Sequence, residues 1–425
     1  MTYKELLRLP EFRAFLFANT LERFAASGMT VLLGFQIYEL TKNPLNLGLL
    51  GLVEAIPGLG LVLFGGHFAD IWSRRRMVVT TVSGLGTLAV IMAIASMLKP
   101  SGLHFLLYGV GFVTAGMKAF QTPAATGLEA QVLPLGQVMK GVPLIASCGR
   151  TADVVGPVAA GFLWAYAGPT GTYATLATIL FATALTIFVR IGEKPPVHSG
   201  NANGNVIQRI REGIGYVFRN QILVGSMALD LFAVFFGGAT ALLPMFATDI
   251  LHVGPEGFGL LRSATAAGAL TAAVLATRYM PSKNAGRVLH AVIAVFGVSM
   301  IVFGTSTWFW LSMLALFVAG ICDGVSMVIR HAVMRLASPE EMRGRIAAVR
   351  SVFVGSSNEL GALQIGFSAS LLGPVLAVMT GGTITLAIVA FIALRSPKLL
   401  HLDLAHLKPE PINPPKPQEL PKAAE

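Results

Sequence analysis

Charge is what this chain lacks. Only 12% of its 425 residues are Asp, Glu, Lys or Arg, about half the share in a soluble domain. By contrast 54% are hydrophobic, and mean hydropathy is +0.70. So little polar surface excludes a water-soluble globule of this length. Acids are scarcer than bases, 21 against 31, but the excess cations fall in clusters between apolar runs. That distribution excludes a nucleic-acid-binding face. The two cysteines, Cys148 and Cys322, both lie inside apolar runs, which leaves no basis for a disulfide framework or a zinc site. No Gly-rich loop ends in Lys-Ser or Lys-Thr, so no nucleotide site is expected, and no cofactor or metal is implied. Glu5 and Glu11 interrupt the basic N-terminus and the apolar run that follows is too long for a signal peptide, so no cleavable signal is read there.

What is present is a series of apolar runs, each near the ~20 residues that cross a bilayer. The expected spans are 12–40, 44–68, 77–98, 103–124, 138–167 and 170–191, then 221–249, 255–279, 286–306, 308–334, 346–372 and 374–395. The fold class is therefore an all-α membrane protein of twelve transmembrane helices in the lipid bilayer. Lys and Arg cluster in alternate loops, as in Arg74 to Arg76, whereas the opposite side holds only Lys42 and Lys99. Because cations in short loops resist translocation, both termini are expected in the cytoplasm.

The segment Gly192 to Asn205 has the Pro, Gly and Asn content of a linker, and 206–218 has the apolar spacing of an interfacial helix. The expected units are residues 1–191 and 221–395 as two six-helix bundles, 192–220 as a cytoplasmic linker, and 396–425 as a Pro-rich, disordered tail. The halves resemble each other. A shift of 205 residues places Gly156 on Gly361, Gly161 on Gly366 and Lys118 on Asp323, and a slightly larger shift places Gly48 on Gly259. This points to a duplicated, pseudo-symmetric architecture.

The hairpin GGHFADIWSRRRMV, Gly65 to Val78, carries Gly66, Ala69, Asp70, Arg74 and Arg75. This pattern resembles the loop signature of the major facilitator superfamily, and the likeness extends to about Arg395. The resemblance implies that Gly66, Asp70, Arg74 and Arg75 form a conformational latch, with Asp70 facing the region of Gly344 and Arg345. GPVAAG, with Gly156, Pro157 and Gly161, is similar to a motif of the superfamily's antiporters; ordinary close helix packing is the alternative reading. The phrases Gln36 to Gly58 and Leu242 to Leu261 look like the subgroup that contains the enterobactin exporter and drug efflux proteins. Spans one, four, seven and ten are implied to line a central cavity.

Ionisable residues at membrane depth are costly and mark function by default. Asp230, Glu22 and Asp153 are the expected proton-coupling residues. Asp230 ranks first because no base lies within a helical turn of it. Lys118, Asp323, Glu54, Glu359 and Arg23 are expected at the substrate cavity, and Asp153 has an alternative in a local pair with Arg150. The expected activity is export of a small molecule, siderophore or drug-like, by a monomeric proton antiporter of a bacterial-type inner membrane. The chain is not expected to be an enzyme. A lysophospholipid transporter and a nontransporting sensor of the same fold are the alternatives.

Overall fold

Helix boundaries fall where a residue ends or caps a helix. A computed structural model describes residues 3–134, 136–193, 214–276, 278–279, 283–339 and 342–407. The surroundings of several side chains, among them Asp70, Arg343 and Arg345, lie outside that description. After a short N-terminal helix, α1 (Pro10–Thr41) ends at Lys42 in the left-handed region, and the Asn43 side chain caps α2 (Pro44–Ile71) by accepting from the Leu45 amide at 2.9 Å. α3 (Arg74–Leu98) and α4 (Leu103–Val132) follow, the latter entered through Gly102 at φ 88°.

Val138–Arg190 is 53 residues long, or about 80 Å at 1.5 Å per residue, far more than one crossing. Gly168, at φ 66°, breaks it, and Pro169 starts the next segment. The two parts are α5 (138–167) and α6 (169–190). α7 (Gln221–Gly237) is capped by Asn220 and continues through a 3-10 turn, Ala239–Leu242, and a π-turn, Phe246–Ile250. The remaining helices are α8 (Gly254–Ala276), α9 (Ala285–Thr305), α10 (Phe309–Ala337), α11 (Arg343–Leu372) and α12 (Pro374–Arg395). All the described secondary structure is helical, and among the described residues eight helical segments, with Val138–Arg190 and Gln221–Ile250 each taken as one, are long and apolar enough to cross a membrane.

α1 and α3 pack with α5–α6, and α4 packs on α2 and α3. In the second set, α8, α9 and α10 pack together while α7, α11 and α12 do the same. The sets meet where α2 crosses α11 and where α5–α6 crosses α8. Both crossings are built on glycine. A Cβ at Gly161 would overlap the Pro255 carbonyl, and one at Gly259 would lie 2.5 Å from the Pro157 oxygen. At the equivalent crossing, a Cβ on Gly366 would lie 2.8 Å from the Gly48 Cα. The glycines paired by sequence repetition thus occupy equivalent contacts. Gly156 likewise presses α5 onto Phe24 and Ser27 of α1, as Gly361 presses α11 onto Val234 and Phe235 of α7. Inside the first set, buried Gln36 accepts from the Tyr173 hydroxyl at 3.0 Å and donates to Ser96 at 2.9 Å, which satisfies three polar groups that would otherwise be costly there.

Two expectations are corrected. Gly66, a glycine expected to allow close helix contact, has open space beside it. The close approach belongs to Gly65, where a Cβ would overlap the Ala119 carbonyl of α4. The tail is not free from residue 396: Pro397–Leu400 forms a helical turn, Leu399, Leu402 and Leu404 are buried, and Gly286 donates its amide to the Leu402 carbonyl at 3.2 Å. These leucines lie on the core formed by α7, α9, α10 and α12, so apolar burial outweighs the polar composition of the segment. Residues 194–213, most of the expected linker and interfacial helix, lie outside the described residues, as does 408–425.

Candidate functional site

A cavity of about 800 Å³ lies between the two sets of helices. Its lining runs along α1, α4 and α5 to Asn19, Glu129 and Val142, all at the same end of the bundle. Toward the other end, Phe35 of α1 stacks on Phe258 of α8 with centroids 5.1 Å apart. Beyond them the Tyr38 hydroxyl donates to Asp249 Oδ2 at 2.5 Å, and Lys42 Nζ lies 3.9 Å from Asp249 Oδ1. The path is therefore crossed by side chains at the α1–α2 end.

α1 contributes Glu22, Arg23 and Thr30; α4 contributes Lys118 and Gln121; α5 contributes Asp153; α8 contributes Arg262; and α10 contributes Asp323. Lys118 and Asp323, equivalent by repetition, do line one cavity. Lys118 Nζ donates to Thr30 Oγ1 at 2.8 Å. Glu22 is hydrogen-bonded by Gln121, and its neighbour Arg23 is taken up by Asp153 within electrostatic reach of it. Glu54 and Glu359 do not line this cavity. They line a second one of about 390 Å³ toward the closed end, and Arg262, Thr30 and Thr240 border both.

The structure corrects two readings of the acids. Arg23, and not Arg150, is the partner of Asp153, with Nη2 donating to Oδ2 at 2.7 Å. Asp230 has an ion-pair partner after all: it is buried against Arg330, which also lies 3.7 Å from Asp323. A local search along α7 misses that cation because it comes from α10. Asp230 lies behind the cavity wall and not on it. Of the expected lining helices, α7 itself provides no side chain to the main cavity; only Thr240, in the turn beyond it, does so, while α5 and α8 contribute more.

Around the expected latch, Arg74 donates to the Ala69 carbonyl at 3.3 Å and the Gly127 carbonyl at 3.1 Å, and Arg75 reaches the Phe188 carbonyl while its guanidinium lies 5.0 Å from the Phe188 ring centroid. These contacts tie α2 to α4 and α3 to α6. The Asp70 and Arg345 side chains fall outside the described residues. Sequence reasoning passed over Arg262 as a site residue, although an arginine at membrane depth was the available signal, and also Tyr38 and Asp249, whose bond no local pattern marks.

A bundle of membrane-crossing helices around a polar cavity defines a membrane transporter. Residues 15–362 match the family model described as Major Facilitator Superfamily, and the chain belongs to that family. It is 23% identical over 381 residues to the enterobactin exporter EntS of Citrobacter koseri, with 88% of each chain covered. It is 24% identical over 333 residues to the Na(+), Li(+), K(+)/H(+) antiporter of Planococcus maritimus, covering 72% of this chain and 77% of the relative. Among solved structures, a bacterial homologue of the human lysosomal transporter Spinster, inward-facing and unoccupied, aligns with TM-score 0.67 at 16% identity over 93% of this chain and 97% of its own. A POT family transporter in complex with a thioalcohol-conjugated peptide aligns with TM-score 0.70 at 12% identity, covering 91% and 96%. These structural likenesses concern the fold.

Proposed function

We propose that the chain exports a small organic molecule by alternating access, in exchange for protons. The observation that carries this reading is the ~800 Å³ polar cavity between two glycine-crossed halves, reached from one end and crossed by side chains at the other. An exporter and a proton-exchanging antiporter among the relatives support both parts of it. Glu22 leads as the proton-exchanging carboxyl, because Asp153 and Asp230 are held by arginines and an ion-paired carboxylate stays charged. Lys118, Asp323 and Arg262 are the proposed substrate contacts, and Asp70 with Arg74 and Arg75 is the proposed latch.

The proposed units are residues 1–191 and 221–395, in a monomer of a bacterial-type inner membrane with both termini in the cytoplasm. Siderophore or amphipathic drug export rests on the relatives and the resemblance; the polar lining does not add to it. The test is efflux of a compound panel from cells expressing the chain, with and without a protonophore. Efflux above that of control cells that collapses with the protonophore is the expected result, and efflux indifferent to it would remove the proton from the cycle.

A further inference from the structure

Five charged side chains line the two adjoining cavities: Glu22 of α1 and Lys118 of α4 in the main one, Glu54 of α2 and Glu359 of α11 in the smaller one, and Arg262 of α8 in both. Lys118 is within electrostatic reach of all three carboxylates, and Arg262 of Glu54 and Glu359. Among the described residues no direct ion pair joins any of the five. Three carboxylates against two cations leave one negative charge in excess. The neighbouring charges, four acids and four bases, balance without drawing on this group. Asp153 is paired with Arg23, and both face Glu22; Asp230 and Asp323 share Arg330, with Arg350 alongside and Arg150 also acting on Asp323, while Glu129 lines the open end of the main cavity. An uncompensated charge at this depth calls for a counter-charge from outside the protein.

The walls say what else the ligand is. Among the described residues lining the main cavity there is no Phe, Tyr, Trp, Leu or Met, and its bulkiest aliphatic side chains are Val31, Val142 and Ile145. Sites for drug-sized apolar ligands are lined chiefly by hydrophobic and aromatic side chains, and aromatic faces are the usual partners of greasy cations. This cavity offers Thr, Ser, Gln and Ala instead, and its volume far exceeds that of a bare metal ion; Leu47, Leu50, Pro244 and Phe258 are confined to the smaller chamber beside Glu54 and Glu359, so the polar body of a ligand would lie in the main cavity.

We propose that the Glu22, Glu54, Lys118, Arg262 and Glu359 group is one shared site for which a proton and the ammonium head of a small, hydrophilic, singly charged organic cation compete. This proposal rests on the antiport reading and names its substrate class. When the cation binds, the protonated carboxyl loses its proton to water and the carboxylate left behind neutralises the ligand. When a proton returns, the ligand loses its counter-charge. The exchange is one for one and leaves the net charge of the site unchanged.

The test uses the purified full chain in weakly buffered detergent. Choline and tetramethylammonium are permanently charged, so any proton released comes from the protein. The expected result is about one proton released per cation bound, with affinity falling about tenfold for each pH unit of acidification once the site is protonated. E22Q, E54Q and E359Q should each weaken both binding and release, with size-exclusion profiles reporting whether each variant folds. The wild-type proton count alone can decide the matter if a variant does not fold. Release by neither cation, equal release by the neutral isostere dimethylbutanol or by tetraphenylphosphonium, or undiminished release in the folded glutamine variants would each overturn the proposal. Proteoliposomes separate the two failures. If a pH gradient drives an uncharged or anionic compound while choline releases no proton, the substrate class falls and antiport stands. If no compound responds to the gradient, antiport itself falls.

Discussion

Tyr38→Phe should loosen the closed end of the transport path. The hydroxyl on α1 donates at 2.5 Å to Asp249, which belongs to the π-turn that extends α7, so one hydrogen bond ties the two halves together across the path. A hydrogen bond to a charged group contributes about 1.5–3 kcal/mol net. The Asp249 side chain is 41% exposed, which favours the lower figure, and about 1.5 kcal/mol corresponds to roughly a tenfold shift between closed and open forms. Lys42, 3.9 Å away and 57% exposed, contributes less than about 1 kcal/mol. A cysteine replacing Thr240, in a chain whose Cys148 and Cys322 have been replaced, reports opening through its rate of labelling by a membrane-impermeant thiol reagent added on the Lys42 side. Tyr38→Phe should raise that rate about tenfold and Lys42→Ala by much less. Equal rates in wild type and Tyr38→Phe would refute the assignment of this bond as the gate, and would leave closure to the Phe35–Phe258 stack.

Gly161→Ala and Gly366→Ala should each destabilise by about 1–3 kcal/mol through overpacking of the two crossings, with Gly109→Ala, which faces open space, as a silent control in thermal melts. Asp230→Asn leaves the buried Arg330 with Asp323 alone, 3.7 Å away, and should cost up to about 3 kcal/mol, part of which the Asp230→Asn/Arg330→Met double variant recovers; a wild-type melting temperature for the single variant contradicts this. Asp70→Asn should reach the membrane in normal amounts yet export poorly, and normal export by that variant would defeat the latch. A cysteine at Asn201 should be labelled only from the cytoplasm and one at Thr41 only from outside; labelling of Asn201 from outside overturns the orientation read from the loop charges.

The helices were legible because capping residues and apolar runs act locally. Lys42, Gly102, Gly168 and Gly373 all stand at turns that the spans had anticipated. The repeat was legible too, since Gly156, Gly161, Gly361 and Gly366 recur at a fixed offset. Partners were not. Arg23 and Asp153 lie 130 residues apart, and Asp230 finds Arg330 on another helix, so a search within one helical turn returns the wrong pair or none. Glu54 and Glu359 read as cavity residues from depth alone, yet depth does not say which of two chambers a side chain enters. The packed tail escaped notice for a similar reason. Leu399, Leu402 and Leu404 sit among prolines and charges, and composition averages hide three well-placed leucines.

The paired glycine crossings also bear on how the machine can vary. Backbone lies directly against backbone at Gly161–Gly259 and at Gly48–Gly366, with no side chain between them. Rotation of one half against the other, which the proposed cycle requires, can turn on these points without any rotamer having to change. In that cycle they would serve as a pair of bearings, set at equivalent places by the duplication, and they lie outside the proposed substrate-binding charges. A change at a proposed substrate contact such as Lys118 or Asp323 leaves these crossings untouched, so under the proposed cycle the cargo could change without altering the points on which the halves turn.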